Sequence, residues 1–459
     1  MTQGATRMRR TVLRPPSAAR SLITTTALSL VFACAHAAPA AAEEPNTPPN
    51  TPPLVSAGFY DPPADLPAAD GALVRTEPLP LALSLPSIGG QRLPGTATRL
   101  MYKTTDSTGQ PAAVTGAYIE PAAEWRGAGP RPLVAVAPGT MGQGDSCSAS
   151  MGLERPISLN GDSVSVGYED IGIYRLLAEG AAVVVTDYVG LGTTDRLHTY
   201  VNRIDGGHAL LDAVRAARAL PDASITPDSR VGLYGYSQGG GATASAAELQ
   251  PEYAPDVPLA GAYVGAPPAN LTEVIDGIDG SALVGALGWA LNGFLQAHPD
   301  LRPVAEEYLN DEGREALEDV STACIGDGIL DHAFGSSKNW TTTTGQSLGE
   351  VVEAEPAVRE VLDDQLLGTT RPATSVRVAT GVQDDIVPHE QARQLAVDWC
   401  AAGGEVTYEA VQIPDLGKGL LTNHLVPLLT DQGKAISWLT DRFNGAAAIN
   451  NCNTLPEQP

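Results

Sequence analysis

Residues 233–242 read LYGYSQGGGA and crowd glycines around a single serine, Ser237. Residues 235–239 fit the pattern G-x-S-x-G, in which a strand turns sharply into a helix and exposes its serine as a nucleophile. An apolar run precedes Ser237 and a helix-forming stretch follows it, which is the context that this pattern requires. The alternative is a plain glycine-rich loop. We therefore predict a nucleophile elbow at Ser237.

Strand-like runs alternate with helical patterns before and after this turn. The runs in the middle of the chain, such as AAVVVTDY, are short and continuously apolar, which is typical of strands buried on both faces. The alternation predicts an α/β fold with a mostly parallel, eight-stranded sheet and helices on both faces. The strand candidates are residues 96–105, 112–121, 131–140, 181–188, 230–237, 259–267, 375–381 and 405–413.

The N-terminus has the composition of an export signal. Five arginines, with no acidic residue before Glu43, lead into an apolar stretch and small residues that offer cleavage after Ala37 or Ala42. We predict that residues 1–42 are a signal peptide and that the protein is secreted. The segment RRTVLR also fits a twin-arginine signal, so the Sec and Tat routes both stay open. Residues 43–95 are rich in proline and predict an extended arm.

One interval interrupts the alternation of strands and helices. Residues 269–374 carry helical patterns and include a notably apolar stretch, residues 282–295. We interpret the interval as a helical cap or lid inserted after the sixth strand, because a strand-like run resumes beyond it. A separate helical domain is the alternative. Residues 96–268 and 375–459 then form the two parts of one core.

The formal net charge of −25 over 459 residues argues against nucleic acid or an anionic membrane as a partner, since both attract basic clusters. Beyond the N-terminus the chain has no apolar run of about 18 residues, the length that a transmembrane helix needs. We expect a monomer that has no stable membrane insertion and that can contact a lipid interface transiently.

A nucleophilic serine needs a base, and chain order restricts the choice of histidine. In sites built on such an elbow the order is serine, acid, histidine, which excludes the histidines before Ser237. Those inside the insertion precede the candidate acids. His389 follows these acids by only a few residues, at the start of a helical pattern, where a capping role is expected. His424 comes after the eighth strand and is the candidate general base.

The carboxylate that orients the base is expected after the seventh strand. Asp384 and Asp385 are both there, and Asp384 stands four residues before Pro388, the usual place for this acid. We select Asp384 and keep Asp385 as the alternative. Asp415 is possible but weaker.

The oxyanion of the tetrahedral intermediate needs two N–H donors. One is the backbone N–H of Gln238, which follows the nucleophile. The second is expected from the loop after the third strand, APGTMGQGDSC, where we prefer Thr140 over Met141. A plain turn is the alternative interpretation of this loop.

Four cysteines remain once the signal peptide is removed, an even number that suits disulfides in an oxidising compartment. Three pairings are possible. No CxxC pattern or Cys/His cluster indicates zinc, and we expect neither a metal nor a cofactor.

Several motifs together resemble the secretory lipase family, of the lipase A type, within the α/β-hydrolases. They are APGTMGQGDSC, EGAAVVVTDYVGLGT, DGGHALLDAVRAAR, GYSQGG, and VQDDIVP with a cysteine twelve residues beyond its proline. The similarity runs from about Thr96 to Cys452. The chain departs from the family in the residues after Cys147, Ser-Ala-Ser in place of Ala-Pro-Ser, and in an extra glycine at the start of the elbow helix.

The resemblance implies an α/β-hydrolase core of eight strands with a helical cap after strand six. It implies a triad of Ser237, Asp384 and His424, in agreement with the selection by chain order. It also implies two disulfides, Cys147–Cys324 and Cys400–Cys452.

These observations predict a secreted serine carboxylic-ester hydrolase, a triacylglycerol lipase or carboxylesterase, whose substrate partner is a lipid or another ester. Two alternatives stay open. One is an α/β-hydrolase that acts on a peptide, an antibiotic or a polyester, because the same triad serves any acyl transfer. The other is a non-catalytic, secreted, hydrolase-like binding protein.

Overall fold

A computed structural model describes residues 58–86, 92–160, 163–342 and 345–459. The predicted signal peptide, residues 1–42, lies outside the described residues, as do residues 43–57 of the predicted arm. The described residues therefore include most of the predicted core and cap and part of the predicted arm.

Nine strands of the described chain form one mixed sheet. They are β1 Leu73–Leu79, β2 Gly95–Thr105, β3 Pro111–Pro121, β4 Leu133–Ala137, β5 Ala182–Val189, β6 Val231–Tyr236, β7 Leu259–Gly265, β8 Val376–Gly381 and β9 Val406–Val411. Their order across the sheet is β1-β2-β3-β5-β4-β6-β7-β8-β9. The first three pairings are antiparallel and the remaining five are parallel. The mostly parallel sheet is confirmed.

The sheet has one strand more than the eight predicted from the sequence. The additional strand, β1, lies within the segment predicted as an extended arm and pairs antiparallel with β2 at the edge of the sheet. An edge strand is paired on one side only, so it tolerates Pro78 and a half-exposed polar pattern. A short strand with these features has the same sequence pattern as an extended arm, so β1 was predicted as part of the arm.

Helices cover both faces of the sheet. In chain order, the α-helices of the described residues are α1 Ala149–Glu154, α2 Asp170–Ala178, α3 Arg203–Arg218, α4 Gln238–Tyr253, α5 Leu271–Ile278, α6 Gly285–Ala297, α7 Arg302–Tyr308, α8 Asp311–Ser321, α9 Ile325–His332, α10 Leu348–Ala354, α11 Pro356–Asp363, α12 His389–Ala401 and α13 Thr422–Phe443. Helices α5 to α11 lie between β7 and β8, and the others cover the sheet. Leu233 of β6 lies in a core with α3, α4 and α12, and the next residue, Tyr234, lies in a second core with α2 and α13. Continuously apolar strands need such a helical layer on each face, because successive side chains point to opposite sides.

The segment between β7 and β8 is helical and forms the cap. Helices α5 to α11 lie in it. Those from α5 to α10 contribute to an apolar cluster that includes Leu283, Trp289 and Val320, and α11 packs with α5, α6 and α10 in a second cluster. Ile386 and Val387, which follow β8, belong to the same cluster. The cap therefore packs against the loop that leaves the carboxyl end of β8.

Candidate active site

Ser237 occupies the sharp turn between β6 and α4. Its φ of 59° and ψ of −126° are sparsely populated by residues other than glycine, so surrounding contacts must hold this backbone. One such contact is the hydrogen bond from the Ser237 N–H to the carbonyl oxygen of Gly265, at 2.9 Å. The turn has the strained strand-to-helix geometry that the sequence pattern predicts for an elbow.

The glycines after the serine are required by close backbone approach. A Cβ atom on Gly239 would lie 1.9 Å from the carbonyl oxygen of Ala137, at the end of β4. A Cβ on Gly240 would lie 2.1 Å from the carbonyl oxygen of Gly265, at the end of β7. Helix α4 therefore begins in direct contact with the backbone of both neighbouring strands, and side chains at these two positions would push it away.

His424 and Asp384 meet beside this turn. The Nδ1 atom of His424 lies 2.7 Å from Oδ2 of Asp384, and both side chains are almost fully buried. The other carboxylate oxygen of Asp384 accepts the backbone N–H groups of Ile386 and Val387. A carboxylate fixed in this way holds the Nδ1–H tautomer of His424, which leaves Nε2 free to act as a base.

Tyr236 connects His424 to the elbow. Its hydroxyl donates to the carbonyl oxygen of His424 at 2.7 Å, and the two ring centroids are 5.2 Å apart. Because Tyr236 directly precedes Ser237, the start of α13 is held against the elbow. The structure thus brings the three predicted triad residues to one end of the sheet.

The alternative acids and the other candidate histidine lie elsewhere. Asp385 accepts the backbone N–H of Gly419, and Asp415 accepts the N–H of Gly417 and the amide of Asn423. In the described part of the chain, neither carboxylate bonds to His424. The Nε2 atom of His389, at the start of α12, lies 3.1 Å from the Tyr408 hydroxyl. The geometry therefore favours Asp384 over both alternatives.

The predicted oxyanion donors come from two elements. The N–H of Gln238 belongs to the first turn of α4, where backbone donors have no partner within the helix. Residues 138–140 follow β4, and aromatic hydroxyls hold them: Tyr188 donates to the Pro138 carbonyl at 2.6 Å, and Tyr168 donates to that of Thr140 at 2.8 Å. The loop is thereby fixed next to the elbow helix.

A buried carboxylate supports the same loop. Oε1 of Glu169 accepts the N–H of Gly139 at 2.7 Å. Burial raises the pKa of Glu169 to about 7, while the Gly139 N–H opposes this shift and Asp170 adds to it. Burial also raises the pKa of Asp170 to about 7. Glu169 therefore gains its charge near neutral pH, in contact with the loop that carries the second predicted oxyanion donor.

A large cleft opens over the elbow. It encloses about 1200 Å³, part of which is open to solvent, and Ser237 and Gln238 contribute to its lining. Most of the remaining wall consists of Leu, Ile, Val and Ala side chains from cap helices α5, α6, α7, α10 and α11. The cleft can therefore take an extended apolar group whose reactive end reaches Ser237.

Two disulfides connect the parts of the fold. Cys147 is bonded to Cys324, which links the loop after β4 to the cap, and Cys400 of α12 is bonded to Cys452 of the C-terminal tail. These are the pairs that the resemblance implies. The N–H of Ile325 also donates to the carbonyl of Met141 at 2.8 Å, so backbone pairing reinforces the first link.

The described residues contain neither a cluster of metal ligands nor a membrane-spanning helix. No group of three or more His, Cys, Asp or Glu side chains there is arranged to hold a metal ion. Within the same residues, no helix combines the length and the apolar character needed to cross a bilayer.

Three residues near the site were not selected from the sequence. His198 was set aside because it precedes Ser237, yet it is buried and its Nε2 lies 2.9 Å from the side-chain amide of Gln238. Tyr200 contacts Thr140, and Glu169 contacts Gly139, across long separations in the chain. No local pattern marks such contacts, because they depend on how distant segments pack.

Comparison with known proteins places these features in a family. The family model described as "Secretory lipase" matches residues 153–451. A protein of Mycobacterium tuberculosis named as a probable inactive lipase is 30% identical over 391 residues, covering 84% of this chain and 82% of that protein. Lipase 2 of Candida albicans is 28% identical over 404 residues, covering 86% and 82%.

A solved structure shares the architecture. The X-ray structure of Candida antarctica lipase A aligns with a TM-score of 0.70 over 86% of this chain and 88% of that protein, at 20% sequence identity. At this level of identity the likeness supports the fold, which is that of an α/β-hydrolase, and says nothing on its own about substrate.

Proposed function

The chain belongs to the secretory lipase family, and we propose that it is a secreted serine hydrolase of carboxylic esters that uses Ser237, Asp384 and His424. The hydrogen bond between His424 and Asp384, formed beside a serine held at positive φ, is the observation that carries this proposal. The same constellation of nucleophile, base and orienting acid recurs on unrelated folds, and its chemistry follows from the geometry.

The reaction proceeds in two half-reactions. Ser237 Oγ attacks the ester carbonyl while Nε2 of His424 takes the hydroxyl proton, and the N–H groups of Gln238 and Thr140 stabilise the oxyanion. His424 then delivers the proton to the leaving alcohol, which produces an acyl-enzyme. A water molecule, activated by His424, attacks this acyl group and releases the carboxylic acid. Asp384 stabilises the imidazolium that forms in each half-reaction.

The apolar wall of the cleft supports an acyl chain as the group that it binds. Each methylene buried against such a wall contributes about 0.8 kcal/mol, so a fatty acyl group gains more than an acetyl group. We therefore propose a fatty ester, such as an acylglycerol, as the substrate class.

Two other functions are compatible with the fold. A hydrolase of amides or polyesters would use the same triad, but an apolar wall offers few partners for the backbone polar groups of a peptide. A non-catalytic binding protein is favoured by one observation, the name of the Mycobacterium tuberculosis relative. The presence of all three triad residues in one place supports catalysis in this chain.

The family and the sequence both support secretion of this protein. Relatives such as the secreted triacylglycerol lipase LIP2 of Malassezia globosa are named as secreted. The predicted signal peptide and the two disulfides support the same location for this protein.

The proposal is tested by hydrolysis of p-nitrophenyl esters from acetate to palmitate. We expect Ser237→Ala to lower kcat/KM at least about 10³-fold for every ester. In the wild-type enzyme, kcat/KM should rise with chain length beyond acetate. Ser245→Ala is the matched control, because Ser245 lies on the same helix and donates to the carbonyl of Arg203, away from the elbow. Full activity in Ser237→Ala would exclude the mechanism.

A further inference from the structure

His198 contacts one predicted half of the oxyanion site, and Tyr200, two residues beyond it, contacts the other. His198 is 1% exposed, and its Nδ1 lies 3.0 Å from the carbonyl oxygen of Val189. A carbonyl only accepts, so Nδ1 carries the proton and Nε2 is an acceptor. The side-chain amide of Gln238 lies 2.9 Å from that Nε2 and donates to it. The residue after the nucleophile is therefore anchored through its own side chain.

The same segment reaches the other half of the site. The ring of His198 stacks on Tyr188, with centroids 5.7 Å apart and planes 17° from parallel. The Tyr188 hydroxyl in turn donates to the Pro138 carbonyl. Two residues beyond His198, the Tyr200 hydroxyl lies 2.7 Å from Oγ1 of Thr140. One buried stretch thus contacts both elements that supply the predicted donors.

The backbone of His198 also connects to the cap. The side-chain amide of Gln143 donates to the His198 carbonyl at 2.9 Å and to the Trp289 carbonyl at 3.0 Å. The amide oxygen of Gln143 accepts from Asn292, also on α6. Both ring nitrogens of His198 and its carbonyl oxygen have hydrogen-bond partners, so the ring has one orientation in this network.

We propose that His198 is a positioning residue for ester hydrolysis: it fixes Gln238 relative to Thr140, so that both N–H groups face the developing oxyanion. The inference rests on the proposed function, because it assumes that the oxyanion forms at this site. Donors that are already in place need no reorganisation during the reaction, which is why small displacements of such groups cost so much rate.

The imidazole suits this role because it stays neutral. Burial lowers the pKa of His198 to about 4, although its hydrogen bond to Val189 opposes that shift. Nε2 therefore remains an acceptor for the Gln238 amide throughout the neutral range. A charged ring would present two donors and would confront the amide N–H with another N–H.

The test compares His198→Ala with His198→Gln. We expect His198→Ala to lower kcat about 10- to 100-fold while KM stays within about twofold, because the lost contact acts on the transition state. The affinity for an alkylboronic acid, which forms a tetrahedral adduct with the serine, should fall by a similar factor. His198→Gln keeps an acceptor oxygen and should restore part of the rate.

His208→Ala is the matched control. His208 also places Nδ1 on a backbone carbonyl, that of Thr105 at 2.7 Å, and stacks on Tyr253. Its loss should lower stability without a change in kcat or in boronic acid affinity. A merely structural role for His198 predicts the same pattern for both histidines.

A double-mutant cycle with Gln238→Met isolates the bond itself. Gln238→Met keeps the backbone N–H but removes the amide, so combining it with His198→Ala should add less than about threefold to the larger single effect. Independent, multiplicative effects would overturn the inference, as would an unchanged kcat in folded His198→Ala and His198→Gln. If His198→Ala does not fold, the kcat values of His198→Gln and Gln238→Met test the inference, and unchanged values in both would overturn it. Absent ester hydrolysis by the wild-type protein, or full activity in Ser237→Ala, would reject the proposed function instead.

Discussion

The two sides of the cleft are built in opposite ways: its floor is the elbow, residues 235–241 with the ends of the neighbouring strands, and its roof is the set of cap helices that line it. At the floor, the elbow helix begins in contact with neighbouring backbone, and a Cβ on Gly239 would lie 1.9 Å from a carbonyl oxygen. At the roof, helices of the cap present apolar side chains such as Leu287 and Ala290 around open space. Moving this backbone displaces the strand to which it belongs, whereas side chains in the cap can be exchanged one at a time. The floor therefore fixes the chemistry, and the roof leaves room to vary the substrate.

The largest effect is expected from a methyl group in the floor. Gly239→Ala must displace the end of β4, where the predicted oxyanion loop begins, and should lower kcat/KM at least about 10³-fold if the variant folds. The matched control is Gly433→Ala on α13, where a Cβ meets no atom within 4 Å. That variant should keep its activity and gain up to about 1 kcal/mol of stability. Equal kcat/KM values for the two variants would contradict the contrast between the tightly packed elbow and the exposed surface of α13.

The next effect separates two neighbouring carboxylates. Asp384→Asn should lower kcat about 10³- to 10⁴-fold, because the amide no longer holds His424 in its basic tautomer. Asp385→Asn removes charge one residue away, from a side chain that accepts the N–H of Gly419. It should lower kcat less than about tenfold, since Asp384 still orients the base. Steady-state kinetics of both variants decides between the two acids.

A third prediction concerns Glu169, the buried acid that accepts the N–H of Gly139. The pKa of Glu169 rises from 4.5 to about 7 on folding, so between these values the native state holds a proton that the unfolded state has lost. The free energy of unfolding should therefore fall as pH rises through this window and level off above it. Glu169→Gln keeps an oxygen for the Gly139 N–H and removes this titration.

Urea unfolding at pH 5 and pH 8 measures the difference. Wild-type protein should lose more stability than Glu169→Gln between these values, by about 3 kcal/mol at most. Asp170 titrates in the same range and remains in the variant, so part of the pH dependence should persist. Parallel stability curves for the two proteins would show that Glu169 does not contribute.

The smallest effect is expected at the roof. Ala290 lies on α6 and lines the cleft. Ala290→Phe should lower kcat/KM about tenfold for long-chain esters, because the larger ring fills space that an acyl chain would use. Acetate hydrolysis should change less than about twofold, since the catalytic floor is untouched. A uniform loss for all esters would indicate damage to the floor and would contradict the division of roles.

Much of this arrangement is visible in the sequence. The elbow has a local pattern, and the strands that carry it are apolar runs, so both could be predicted before the fold was known. Chain order favoured His424 because only His389 and His424 follow Asp384 and Asp385, and His389 follows them too closely. The edge strand β1 was not predicted, because a strand paired on one side only can keep a polar, proline-containing pattern.

Contacts between distant segments could not be predicted in this way. Spacing to Pro388 favoured Asp384 over Asp385, but the partners of each carboxylate depend on how the loop packs against His424 and Gly419. The four cysteines allowed three pairings, and only the family resemblance favoured the pair Cys147–Cys324. His198 fails the chain-order rule, and its contact with Gln238 exists only once two loops pack together.

The central claim is that Ser237 is an activated nucleophile, and covalent labelling tests it most directly. The intact protein is treated with a fluorophosphonate, and the modified peptide is identified by mass spectrometry. We predict one label on Ser237, and a labelling rate at least about 10²-fold lower in His424→Ala, because the serine then lacks its base. A folded wild-type protein that takes up no label, or carries it on another residue, would contradict the account.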